Sequence, residues 1–251
     1  MAETVFSRAQ VVAMERAAAR AWPALETADV EGWAWRCSGG GTRRANSVLP
    51  LAFSGASLDA AIDGVEARYG AKGLKAYFQV SSIAEPPGLD ARLAARGYTY
   101  EEPCLLLAKP LTATPMPAGV DILREASADW FAIYAEQIDA VRRAAVPATL
   151  ARVPEPRAFL LFRRDGAPLA TALGVVSPDG VALVECVATR ANGRRTGAAQ
   201  IVMDALECWA PAQGATVAAL QVVEGNTQAR ALYARRGYVE AGRYHYRWKV
   251  G

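Results

Sequence analysis

Between residues 181 and 209 the chain reads as a strand, a short basic loop and the start of an amphipathic helix, in that order. The apolar run at residues 181–189, VALVECVAT, has strand character. From residue 198 onward Ala198, Ile201, Val202, Ala205 and Trp209 recur at helical spacing, with Gln200, Asp204 and Glu207 as a polar stripe. A strand that passes into a helix through so short a loop commits this region to an α/β architecture. A helix start presents backbone N–H groups with no partner and the positive end of a dipole, which suits a phosphate. Gly197 lets backbone approach a ligand closely. Arg190, Arg194 and Arg195 add positive charge with no acid among them. The stretch Arg194-Arg195-Thr196-Gly197-Ala198-Ala199 is therefore a pyrophosphate site in outline.

Composition narrows the class of protein. A chain of 251 residues, 52% hydrophobic and 21% charged, is an ordinary folded protein of one large or two smaller domains. The net charge of +3 is too small and too scattered to argue for a nucleic-acid partner. No apolar run approaches the roughly 20 residues that span a bilayer. The opening MAETVFSRAQ has neither a basic nor an apolar leader region, so the reading is cytoplasmic. One histidine, and cysteines at 37, 104, 186 and 208 with no short spacing, point to reduced core thiols and to no metal.

Along the chain, Ser7 and Gln10 form a capping box that opens a helix running to about Ala21. Residues 33–37 read as a strand, turned by a flexible Gly39-Gly40-Gly41 connection into a second strand around residues 45–48. A helix at 57–69, a strand at 74–81, a helix at 89–96 ending on Gly97 and a strand through 104–107 complete a first half. Residues 109–119 hold three prolines and read as a linker. The predicted organisation is thus a domain at 1–108, a linker at 109–119 and a domain at 120–251. The second half offers a short strand at Val120, helices at 128–138 and 140–151, and strands at 158–163, 169–176 and 181–189. Then follow the basic loop, its helix, a strand at 217–223, a helix at 227–236 and a closing strand. Arg92-Leu93-Ala94-Ala95-Arg96-Gly97-Tyr98 matches Leu232-Tyr233-Ala234-Arg235-Arg236-Gly237-Tyr238, and Gln79-Val80 and Gln221-Val222 lie upstream in matching strands. Duplication accounts for this shared order.

Three motifs then recur together: R-x-x-G-x-A at Arg194, Gly197 and Ala199; N-x-x-A-x-x-L-Y from Asn226 through Ala229 to Tyr233; and Arg236-Gly237-Tyr238. Spaced by one βα unit, they resemble the GNAT superfamily of acyl-CoA-dependent N-acyltransferases over residues 120–251. The first half, with its Arg96-Gly97-Tyr98 ending and no basic glycine loop, looks like the degenerate copy of tandem members. The resemblance implies two GNAT-like domains, each a mixed, mostly antiparallel sheet flanked by helices, with splayed central strands in the C-terminal copy. It implies acetyl-CoA as cosubstrate and no metal. The pantetheine arm would lie on the edge at Val187, Ala188 and Thr189, with the pyrophosphate on the loop from Arg194 to Ala199. Asn226 and Ala229 would hold the cofactor at the next helix start, and Tyr233 would protonate the departing sulfur. The Val187 N–H would serve as oxyanion donor.

Each of these residues also has a plain structural reading: Asn226 as a helix N-cap, Tyr233 as a core aromatic. Glu185, in an otherwise apolar strand and two residues before Val187 on the same face, is either the general base or half of an ion pair. The family often places that carboxylate nearer position 183, where this chain has Leu183. His245, facing away from Tyr244 and Tyr246, is the rival base or a structural residue. Cys186, facing away from Val187, is not placed as a nucleophile. The expected activity is transfer of acetyl to a primary amine of a small molecule or peptide, by direct attack, in a monomer or homodimer. The alternative is a non-catalytic acyl-CoA sensor.

Overall fold

Helix starts coincide with their caps. In the computed structural model, which describes residues 6–250 apart from the Glu102 side chain, α1 (Arg8–Ala21) is opened by Ser7, whose N–H donates to Gln10 Oε1 at 2.8 Å while its hydroxyl accepts from Gln10 N. The first half continues with β1 (Glu26–Val30), β2 (Trp33–Cys37), α2 (Leu58–Gly70), β3 (Ala76–Ser81), α3 (Leu89–Ala95) and β4 (Thr99–Pro110). The second half contains β5 (Val120–Leu123), α4 (Ala128–Ala135), α5 (Ala140–Leu150), β6 (Arg157–Arg164), β7 (Ala167–Val176) and β8 (Val181–Thr189). It ends with α6 (Ala198–Trp209), β9 (Val217–Val223), α7 (Thr227–Arg235) and β10 (Val239–Lys249).

A single eight-stranded sheet runs through both halves in the order β3-β10-β4-β9-β8-β7-β6-β5, antiparallel except between β8 and β9. Each half sends its last strand into the other. β4 pairs with β9 from Cys104↔Val223 to Pro110↔Val217, and β10 pairs with β3 from Tyr244↔Ser81 to Lys249↔Ala76. Lys109 and Pro110, predicted as linker, are therefore paired strand residues. One face of the sheet buries Met14, Trp130, Ile133, Phe159, Leu173 and Leu183 beneath α1, α4 and α5; the other buries Leu160, Val184, Val202, Leu206 and Leu220 beneath α6.

The repeat read from sequence has matching geometry. Gly97 and Gly237 sit at φ 81° and 82°, as their helices stop, and Tyr98 and Tyr238 donate N–H bonds of 3.1 Å back to Leu93 O and Tyr233 O. Only glycine takes that left-handed position without strain. Arg96 meets Asp59, Asp63 and Glu66 on α2, while Arg236 meets Asp204 and Glu207 on α6. The tyrosine hydroxyls of Tyr98 and Tyr238 close each set on Glu66 and Glu207. Glu207, read from sequence as part of a polar stripe, is buried in this clasp with Lys109 as a further partner.

Two sequence expectations fail in the first half. Residues 45–48 are not a strand: Arg44–Asn46 is a 3-10 turn, and Val48 and Leu49 make only isolated bridges. The partner of β2 is β1, joined by Glu31 and Gly32 at φ 53° and 89°. Nor is the Gly39–Gly41 loop a loose connection. Asn46 Oδ1 accepts from Ser38 N at 2.8 Å and Gly40 N at 3.1 Å, and its Nδ2 donates to Gly40 O and Thr42 O at 2.8 and 2.7 Å.

Candidate active site

β8 and β9 run side by side only from Val181↔Val217 to Leu183↔Ala219, whereas β8 stays paired with β7 as far as Thr189↔Ala170. Beyond Leu183 the two central strands part, and the β9-facing edge of β8 has no strand beside it. A bulge accompanies the parting. Leu173 opposes Glu185 and Thr171 opposes Ala188, so Ala172 meets both Cys186 and Val187, with Cys186 at φ 52°. Alternation breaks there. Leu183, Cys186 and Ala188 join the core beneath α1, whereas Val184 and Val187 pack toward α6. Glu185 follows Leu183 and so does not share a face with Val187, contrary to the alternation expected from sequence.

The Glu185 carboxylate, 6% exposed, is gripped by both terminal nitrogens of Arg44, with Nη2–Oε2 at 2.7 Å. Arg44 in turn lies over the Trp22 ring, 5.1 Å from its centroid. Burial opposes the charge on Arg44, and the Glu185 carboxylate outweighs it, so the guanidinium pKa stands well above its usual value. Burial, followed by the Glu185 charge, pushes the Cys186 thiol up, which leaves it a poor nucleophile.

On the Arg44 side of this pair, strands and loops from both halves border a cavity of about 630 Å³, bounded by Gly41, Arg44, Arg142, Gln221, Tyr244 and Tyr246 among others. The Arg142 Nε is buried and has no hydrogen-bond partner among the described residues. Sequence reasoning found the Gln221-Val222 repeat but not that Gln221 and Tyr244 form one wall of a cavity. That juxtaposition depends on the strand exchange, which leaves no local signal.

On the other side of the parting, α6 begins at Ala198 with Gly197 as N-cap at φ 84°, no side-chain cap and no acid in its first turn. The space where a Cβ would stand at Gly197 is open. Helix geometry leaves the first N–H groups of α6 without intrahelical acceptors. Thr196 Oγ1 donates to Gly193 O at 2.8 Å, and Arg164 reaches Thr196 O at 3.1 Å, shaping the loop from behind. The arginines are less isolated than the sequence suggested: Arg190 pairs with Glu136, the residue after α4, at 3.3 Å and Arg194 donates to Gln137 at 3.3 Å. Arg195 adopts φ 61°.

Asn226 caps α7, its Oδ1 accepting from Ala229 N at 3.1 Å. About two turns on, Tyr233 is buried against Tyr238, ring centroids 5.8 Å apart. Burial, and then the Glu185 charge, push its phenol up to about 12, so it holds its proton at neutral pH. His245 belongs elsewhere: Nε2 is 2.6 Å from Asp90 and the ring stacks on Tyr100 at 4.5 Å. Among the described residues no cluster of metal-ligating side chains occurs, and no helix is long and apolar enough to cross a membrane.

A mostly antiparallel sheet that opens between two parallel central strands, with an uncapped helix N-terminus at the opening, defines a GNAT-superfamily acyltransferase. The chain belongs to the family described as "Probable histone acetyltransferase Rv0428c C-terminal", whose profile matches residues 8–247. It is 31% identical over 248 residues to "Uncharacterized N-acetyltransferase YobR" of Bacillus subtilis, covering 94% of this chain and 97% of that one. It is 28% identical to "Probable histone acetyltransferase Rv0428c" of Mycobacterium tuberculosis, covering 83% of this chain and 64% of that protein. Among solved structures it is similar to a GCN5-related N-acetyltransferase from Kribbella flavida, with TM-score 0.73, 24% identity and 96% and 95% of the two chains covered. A tandem GNAT protein from the clavulanic acid biosynthesis pathway shares the fold at TM-score 0.64 and 13% identity, over 94% of this chain and 87% of that one.

Proposed function

We propose that this protein transfers an acetyl group from acetyl-CoA to a primary amine of a small molecule or peptide. The observation that carries the reading is the parting of β8 and β9 beyond Leu183 beside an uncapped α6. The exposed edge at Val187, Ala188 and Thr189 suits the amides of a pantetheine arm, which would add to the sheet as a short strand does. The loop of Arg194, Arg195, Thr196 and Gly197, with the first N–H groups of α6 at Ala198 and Ala199, suits a pyrophosphate. Asn226 keeps its side-chain N–H₂ for the ligand while its oxygen caps Ala229.

The thioester supplies an acetyl group already activated for transfer. The residues of the chain then manage charge and protons. The Val187 N–H steadies the charge that grows on the acetyl oxygen. Tyr233, protonated at neutral pH, gives its proton to the departing sulfur. The amine enters from the cavity bounded by Arg44, Gln221 and Tyr244. Glu185 takes up the amine's proton through water, on lone pairs that Arg44 does not use.

The clamp of Arg44 on Glu185 also favours a second reading, a non-catalytic acyl-CoA sensor, because so firmly held a carboxylate serves structure equally well. CoA binding tests the cofactor half common to both readings. CoA is expected to raise the melting temperature, and Gly197→Ala to reduce that rise by straining the loop backbone while filling only open space. An unchanged melting temperature in the wild-type protein would sink both readings.

A further inference from the structure

Beneath the cavity wall lies a polar network that the transfer chemistry does not use. Glu15 of α1 is 1% exposed, and its Oε2 accepts from Gln79 Nε2 at 3.0 Å and from Gln221 Nε2 at 3.1 Å. These are the equivalent glutamines of the two repeats, brought to one carboxylate. Gln79 Oε1 accepts from Arg36 Nη2 at 3.0 Å, and Arg36 is further held by Ser47 O and Ser47 Oγ, each at 2.9 Å. Gln221 Oε1 accepts from the Tyr244 hydroxyl at 3.2 Å.

Donor and acceptor chemistry fixes the direction of every bond in this chain. A guanidinium only donates and a carboxylate only accepts, so both glutamines must turn N–H₂ toward Glu15. Gln221 then has only its oxygen to offer Tyr244, whose one hydroxyl hydrogen is committed to it. The Tyr244 oxygen, beside the Cys104 thiol and the Tyr246 hydroxyl, turns its acceptor lone pairs to the cavity wall, where they suit an incoming N–H.

We propose that Glu15 is a positioning residue for the acceptor amine: through Gln221 and Tyr244 it sets the cavity wall to accept hydrogen bonds. The proposal rests on the acetyltransferase reading, since it assigns the amine to this cavity. Burial, opposed by the Arg36 charge and the Gln221 bond, pushes the Glu15 carboxyl up to about 7. Other ionisable groups facing this region are Arg36 of β2, Tyr69 of α2, Cys104 of β4, the Arg44–Glu185 pair at β8, and Tyr244 and Tyr246 of β10. Both tyrosines of β10 are raised by burial and titrate far above neutrality. A neutral Glu15 has a hydrogen to give, which frees Gln221 to reverse and the wall to lose its direction.

The test is Glu15→Gln, with KM and kcat for the best amine of a primary-amine panel measured from pH 6 to 9. Relative to wild type, the variant is expected to raise the amine KM about tenfold at pH 8 and little at pH 6, with acetyl-CoA KM and kcat nearly unchanged. Equal amine KM values at pH 8 in a folded variant would overturn the proposal. Should Glu15→Gln not fold, Tyr244→Phe, which removes only the hydroxyl, is expected to show the same KM-selective loss; an unchanged KM there would overturn it as well. If wild type acetylates no amine, the transferase reading fails instead. The link from Glu15 through Gln221 to the cavity wall is then decided by NMR of the wild-type protein: the Gln79 and Gln221 side-chain amide resonances are expected to shift together with a midpoint near pH 7, and pH-independent resonances would overturn it.

Discussion

At the scale of single residues, Glu15 carries a cost that pH exposes. Its carboxyl stands at about 7 in the folded protein against 4.5 for an ordinary glutamate. A raised carboxyl pKa means that the folded state holds the proton more tightly than the unfolded chain. The stabilisation is complete below about pH 4.5 and is lost as pH rises to about 7, up to roughly 3 kcal/mol at 1.36 kcal/mol per pKa unit. Chemical denaturation of wild type and Glu15→Gln at several pH values is expected to show that decline in the wild type only. Parallel curves would place the titration elsewhere. Of the residues read from sequence, Gly197 and Asn226 could be located because each caps a helix, and Tyr233 because it falls in the last turn of α7 before the Arg-Gly-Tyr ending. Glu15 could not, since its partners Gln79 and Gln221 lie far from it in sequence and meet only through the exchanged strands.

Among elements, the Arg-Gly-Tyr endings of α3 and α7 offer an internal comparison. Arg236 and Glu207 have side chains only 7% and 6% exposed, whereas Asp59 and Asp63, which meet Arg96, are 45% and 65% exposed. Removing Arg236 leaves the buried Glu207 carboxylate with Lys109 and the Tyr238 hydroxyl but without its charged hydrogen bonds to the guanidinium, so Arg236→Ala is expected to cost about 2 kcal/mol. Arg96→Ala, breaking exposed pairs, is expected to cost about 1 kcal/mol or less. Equal losses in urea denaturation would show that burial does not govern the two clasps. Strands β8 and β9 were legible residue for residue because apolar runs bounded by turn signals leave little freedom. β1 escaped because ETADV is mostly polar and its apolar face consists of Ala28 and Val30 alone, too short an alternation to read. The bulge at Cys186 escaped too, since an added residue in a strand changes register without changing composition. That one residue is what separates the faces of Glu185 and Val187.

For the whole molecule, the exchange of β4 and β10 ties the halves together more closely than a domain-by-domain reading of the sequence implies. A chain cut in the segment between β4 and β5 leaves β9 without β4 and β3 without β10. Residues 1–112 and 113–251 expressed apart are expected to lack cooperative unfolding, and expressed together to recover it. Two independently melting fragments would contradict the exchange. The order of elements and the repeat were readable from the sequence, but strand order was not, because pairing between distant segments leaves no local pattern. We propose for the molecule as a whole that the opened sheet delivers an acetyl group to an amine. The most direct test is release of free thiol from acetyl-CoA across a panel of primary amines, in wild type and Tyr233→Phe. Amine-dependent release, slowed about 100-fold by the substitution, is the result expected; CoA binding with no release on any amine would contradict it.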